Sequence, residues 1–366
     1  MLDLTAQSLV VLSALLTGAT VLAAVVTRFR RVPRRRALEL VARGALVVAA
    51  QVMAVATVAL VVNNQYGFYA SWEDLLGQTP QAAPIVAGGS ADGMQGSVAV
   101  FAGRPGGRGS GTIQTMTVRD GYSGSPLDTL VWLPPQYSAK RYSTIKFPVV
   151  MFLPGQPSSP AHVFQQYDFG SVASRAIAAG RVKPFVAVFP PLMTDRPRDT
   201  ECTNVSGGPQ ALSWLIKDVP TALAAHYRVT RPGSGWSVMG WSTGGFCAAK
   251  VLLTQPNEFH AAVSFGGYFD AITDSTTGDL FHGSAVAREG NSPRWLYRKH
   301  GMRGSRLLVV VGKQDREAWA STTPLLAESG SDPGISHVAF PEGGHNVKAY
   351  RTYLVPALQW LDQSGI

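Results

Sequence analysis

Hydrophobic positions along the chain fall into two regimes. From Leu9 to Val26 the sequence runs for 18 positions without a charge, and from Gly44 to Val62 for another 19, with Gln51 as its strongly polar side chain. Neither run has a polar face at helical spacing, so each is expected to form a helix able to span a bilayer. Beyond Thr112 the pattern changes to short apolar or alternating runs separated by longer amphipathic ones. Strands are expected at 112–118, 128–133, 147–153, 185–189, 235–239, 261–264 and 306–311, and helices at 163–179, 211–227, 245–254 and 348–362. Strands alternating with helices imply an α/β domain with a mostly parallel sheet covered on both faces. Between the regimes, Gly88 to Gly111 holds nine glycines in 24 residues, the composition of a tether. The expected organisation is a membrane anchor over 1–77, a glycine-rich linker over 78–111 and an α/β domain over 112–366.

Charge fixes an orientation for the anchor. The net charge of +9 is concentrated, with six arginines between Arg28 and Arg36, so it does not signal a nucleic-acid partner. A cleaved signal peptide carries its positive charge ahead of the apolar run, whereas this block follows the run. Arginine-rich short loops stay on the cytoplasmic side, so both helix ends away from the loop, and the whole α/β domain, are expected outside the cytoplasm. Tyr66, Phe68, Tyr69 and Trp72 follow the second run, where amphipathic rings sit at a headgroup boundary or dock a domain.

The sharpest chemical signal is Gly240-Trp241-Ser242-Thr243-Gly244-Gly245, between an apolar strand and a helix of small residues. G-x-S-x-G in that setting is a nucleophile elbow: a strained turn projects the serine hydroxyl, and the new helix offers free N–H groups to a developing negative charge. A serine needs a base, and the chain order Ser, acid, His is met by Asp315, just past the apolar run 307–311, and His345, in a glycine-rich turn before the last helix. Glu317 and Asp270 compete for the acid role. His282 and His300 lie in a segment that could cover the site, while His162, His226, His260 and His337 read as structural, His337 within an alternating strand. In the loop Leu153-Pro154-Gly155-Gln156-Pro157, proline has no N–H. Gln156 is therefore the expected oxyanion donor, paired with the N–H of Thr243, and an ordinary tight turn is the alternative.

The chain has two cysteines, Cys202 and Cys247, both in the domain expected outside. An even count in an oxidising compartment favours a disulfide between them, with two buried thiols as the alternative. Two cysteines without clustered histidines make no zinc site, and nothing calls for a metal or an organic cofactor.

Together these residues resemble the putative esterase family of α/β-hydrolases, which includes esterase D-like enzymes, enterochelin-type esterases and mycolyltransferases. The resemblance runs from about Thr112 to Trp360 and rests on Leu153-Pro154-Gly155-Gln156, the elbow, Asp315, and Gly344-His345-Asn346 leading into Tyr350-Arg351-Thr352-Tyr353-Leu354. It implies an α/β-hydrolase fold, with Ser242 as nucleophile, Asp315 as acid, His345 as base and Gln156 in the oxyanion loop. Many members carry His or Asp where this chain has Pro154. The two-helix anchor resembles actinobacterial membrane-bound members, and Asp199-Thr200-Glu201-Cys202 and Gly207-Gly208-Pro209 resemble features of that subgroup. The expected activity is hydrolysis of a carboxylic ester, with acyl-lipids or acyl-sugars among the candidate substrates. Acyl transfer to a sugar hydroxyl and a catalytically silent envelope module are the rival readings.

Overall fold

Residues of four central strands are buried without exception, as strands covered on both faces require. The computed structural model describes residues 4–26, 36–66, 68–69, 72–76, 110–195 and 198–365. The arginine-rich loop up to Arg35, and the glycine-rich tract except Ser110 and Gly111, lie outside the described residues. Eight strands form one sheet: β1 (Thr112–Arg119), β2 (Pro126–Leu133), β3 (Val149–Leu153), β4 (Val186–Phe189), β5 (Trp236–Trp241), β6 (Ala261–Phe265), β7 (Arg306–Gly312) and β8 (Ile335–Phe340). Their order is β1-β2-β4-β3-β5-β6-β7-β8. The β1/β2 and β2/β4 pairs are antiparallel and all others parallel. This is the α/β-hydrolase arrangement, and β8 is the alternating segment around His337.

The period of two along β3 divides the core. Val149, Met151 and Leu153 join one apolar layer and Val150 and Phe152 the other. Phe152 lies 4.9–6.3 Å, ring centre to ring centre, from Tyr167, Phe169, Phe189 and Phe265.

Three expected helices are interrupted. The stretch at 163–179 is two helices, Pro160–Gln166 and Phe169–Ala178, parted where Asp168 takes a left-handed φ of 45°. At 211–227 the backbone widens into a π-helical turn over Trp214–Asp218, just ahead of Pro220, which has no N–H to donate. The closing helix divides into Val347–Arg351 and Leu354–Gln363.

The chain separates into two compact units, Met1–Thr79 with Glu342–Asn346, and Pro80–Pro341 with Val347–Ile366. Helices α1 (Gln7–Val26) and α2 (Arg36–Tyr66) belong to the first. They meet through hydroxyls, Ser13 Oγ lying 2.7 Å from Thr57 Oγ1. Many of their apolar side chains point outward, with Leu15 67%, Val25 73% and Val55 70% exposed. Gln7–Val26 and Val41–Asn64 are long and apolar enough to cross a membrane.

Candidate active site

Strand β5 runs straight into the helix Thr243–Thr254, and the reversal is made at Ser242, whose φ of 56° and ψ of −121° lie where L-residues are strained. The turn closes through Gly245 N–H and Phe246 N–H, which both donate to Ser242 O (2.8 and 3.1 Å). Its two flanking glycines are required by close approach. A Cβ on Gly240 would stand 2.0 Å from Gly244 O, and one on Gly244 would stand 2.2 Å from Leu153 O and 2.6 Å from Pro154 O. The same contacts place the loop after β3 against the elbow.

That loop is a tight turn, with Ser158 N–H donating to Gly155 O (2.8 Å) across a cis Gln156–Pro157 peptide. A Cβ on Gly155 would lie 3.0 Å from Ser242 Cβ, so Gln156 follows directly on the residue that touches the serine. Among the described residues, no hydrogen bond occupies the N–H of Gln156 or that of Thr243. The turn reading and the donor reading are therefore compatible.

Asp315 follows β7 and is 2% exposed. It caps the helix Arg316–Ser329 through a long 3.4 Å bond from Ala318 N–H. Its Oδ2 accepts from the hydroxyl of Tyr350 at 2.6 Å, and the same hydroxyl accepts from Gly312 N–H at 3.1 Å. The Tyr350 ring packs edge-on against Trp241, the residue before the serine, at 4.7 Å. Burial, followed by the negative charge of Asp315, holds the Tyr350 hydroxyl well above the ordinary tyrosine range, so it remains a donor. Glu317 and Asp270 are exposed, and Asp270 is engaged by Arg294 at 2.7 Å.

His345 is half-buried in the segment Glu342–Asn346, five residues past the end of β8. Gly312 and Phe340, the last residues of β7 and β8, are register partners. His282 and His300 are exposed, His162 and His226 are exposed helix residues, His260 lies 3.0 Å from Gly233 O, and His337 is within β8.

Cys202 and Cys247 form a disulfide, with Cα atoms 5.9 Å apart. The bond ties the loop after β4 to the second turn of the elbow helix.

Two contacts of the site were not expected from the sequence, although Tyr350 and Asp199 both lie in stretches that carry the family resemblance. Tyr350 reaches Asp315 across 35 residues, and Asp199 accepts from Thr243 Oγ1 at 3.0 Å across 44. Neither contact leaves a local pattern in the chain.

A family model described as "Putative esterase" matches residues 122–361, about two-thirds of the chain. The chain belongs to this family. It is a family of serine esterases and hydrolases. An uncharacterized protein of Corynebacterium glutamicum is 22% identical over 250 residues, covering 65% of this chain and 57% of its own length; the chain thus spans little more than half of that relative. Solved structures share the fold. A ferulic acid esterase has a TM-score of 0.58 at 16% identity, covering 69% of this chain and 97% of its own. An S-formylglutathione hydrolase from Agrobacterium tumefaciens has 0.58 at 19%, covering 71% and 98%. The fluorophosphonate-binding serine hydrolase F of Staphylococcus aureus has 0.55 at 16%, covering 69% and 98%.

Proposed function

We propose that the protein is a membrane-anchored, extracytoplasmic serine esterase that cleaves a carboxylic ester through an acyl-enzyme on Ser242. The observation that carries this reading is the elbow: a serine at φ 56° begins a helix beside a loop, with the N–H groups of Thr243 and Gln156 unoccupied among the described residues. Ser242 Oγ attacks the ester carbonyl while His345 takes its proton, and Asp315 orients the imidazole and balances its charge. The oxyanion is met by the two N–H groups. Collapse of the tetrahedral adduct breaks the ester C–O bond, and His345 returns the proton to the departing alcohol. Water, deprotonated by His345, then attacks the acyl carbonyl, releasing the carboxylic acid and restoring Ser242.

The two outward-facing apolar helices support the anchor, and the Cys202–Cys247 disulfide supports an oxidising compartment for the domain. Ester chemistry is also the theme of the ferulic acid esterase that shares the fold. The acceptor distinguishes hydrolysis from transfer, since a sugar hydroxyl in place of water would make the protein an acyltransferase.

The test uses the full chain in detergent, a fluorophosphonate probe, and p-nitrophenyl esters of graded chain length with and without trehalose or glycerol. Labelling and turnover that vanish together in Ser242→Ala are expected. Acylated sugar in excess of free acid would assign transfer. A folded wild-type protein that neither labels nor turns over would be a silent module.

A further inference from the structure

Behind the elbow helix lies a buried polar cluster that the proposed reaction does not use. Thr243, Cys247 and Lys250 are spaced by four and three residues, which puts them on one face of the helix Thr243–Thr254. All three hold the same short segment, Asp199–Thr203. Thr243 Oγ1 donates to Asp199 Oδ2 at 3.0 Å, Cys247 is bonded to Cys202, and Lys250 Nζ donates to Glu201 O at 3.1 Å and Thr203 Oγ1 at 2.8 Å. The segment is also tied to itself. Asp199 Oδ1 accepts from Glu201 N–H at 2.9 Å, and the backbone turns through positive φ at both Glu201 (44°) and Cys202 (45°). On its other side Asp199 N–H donates to Thr276 O (3.0 Å), and Glu201 Oε1 accepts from Ile272 N–H (3.2 Å). Residues 199–203 and Lys250 are no more than 2% exposed.

Burying two carboxylates and an ammonium costs more than it returns in stability when apolar side chains could fill the same volume. Burial pushes Glu201 up to about 7 and draws Lys250 down to about 7. Stability therefore gives no reason for the cluster, whereas its geometry does: its first contact falls on Thr243, the residue proposed above to donate its N–H to the oxyanion. A helix N-terminal peptide has no intrahelical bond from its N–H to fix it. At Thr243 the side-chain hydroxyl supplies an anchor on the same residue.

We propose that Asp199 is a positioning residue of the oxyanion hole, holding the Thr243 peptide in the orientation that meets the transition state, with the disulfide and Lys250 holding Asp199 in turn. This rests on the elbow reading above. Asp199 touches no reacting atom and acts through Thr243. Its geometric role does not need its charge, because Asn can accept from Glu201 N–H through its oxygen and donate to the Thr243 hydroxyl through its amide.

The test compares Asp199→Ala, Asp199→Asn, Thr243→Val and Thr243→Ser in the full-length protein, each normalised to sites titrated with a fluorophosphonate. Loss of a whole oxyanion donor costs about 10²–10³ in kcat, and a loosened one should cost about 10-fold. Asp199→Ala and Thr243→Val are expected to lower kcat by that factor with KM changed less than twofold, and together to cost no more than either alone. Asp199→Asn and Thr243→Ser should restore most of the rate. Affinity for a phenylboronic acid, which forms a tetrahedral adduct, should fall in step with kcat/KM. Full kcat in Asp199→Ala, unchanged boronate affinity, or equal losses in Asp199→Asn and Asp199→Ala would overturn the proposal. Activity surviving in Ser242→Ala would instead overturn the elbow reading itself.

Discussion

Replacing Tyr350 by phenylalanine isolates one oxygen at the centre of the site. That oxygen donates to Asp315 at 2.6 Å and accepts from Gly312 N–H at 3.1 Å, and all three groups are buried. Removing it takes from an ionised carboxylate a hydrogen bond worth about 1.5–3 kcal/mol, and leaves a buried N–H without an acceptor at about 1–3 kcal/mol. The ring remains, so its contacts with Trp241 (4.7 Å) and Phe340 (5.0 Å) persist, and no cavity larger than an oxygen opens. Partial relaxation and a penetrating water reduce the sum, so a loss of about 3 kcal/mol is expected. Guanidinium unfolding of the full chain in detergent, followed by fluorescence of the buried Trp132, Trp214 and Trp236, measures it. Stability within about 0.5 kcal/mol of wild type would refute the reasoning.

Gly244→Ala places a Cβ 2.2 Å from Leu153 O, a backbone atom that cannot step aside; it should destabilise by about 3 kcal/mol or more and abolish turnover. Gly290→Ala, with nothing within 4 Å of its Cβ, is the neutral control in the same unfolding and ester assays. The disulfide closes a separation of 45 residues, so Cys202→Ala/Cys247→Ala should lose about 4 kcal/mol by loop-closure entropy, and alkylation of the unreduced wild type should find no thiol. Glu201 is raised to about 7 from an ordinary value of 4.5 by burial, so the folded state keeps a proton that the unfolded state releases between those values. Stability from this group is full below about pH 4.5 and falls as pH rises toward 7. Glu201→Gln should flatten that decline in a pH series of melting curves, and an unchanged slope would count against the assignment.

What the chain alone determines is local. Period and length mark the two apolar helices and seven of the strands, because a strand buried on both faces must be apolar along its whole run and a helix long enough to cross a membrane shows as an unbroken apolar stretch. The elbow is equally legible, since Gly240 and Gly244 are dictated by backbone contacts that no side chain tolerates, and Asp315 and His345 stand out by their places after a strand and before a helix. Tertiary structure decides the rest. It breaks the expected helix at Asp168, opens a π turn before Pro220, and orders the strands so that β3 lies between β4 and β5. It also brings Tyr350 to Asp315 and Asp199 to Thr243, contacts between residues 35 and 44 positions apart. A single tyrosine or aspartate looks the same in sequence whether it ends in water or in a buried network. Its partner is chosen by the path of the sheet, and that path is set by the packing of the two apolar layers as a whole rather than by any stretch of residues.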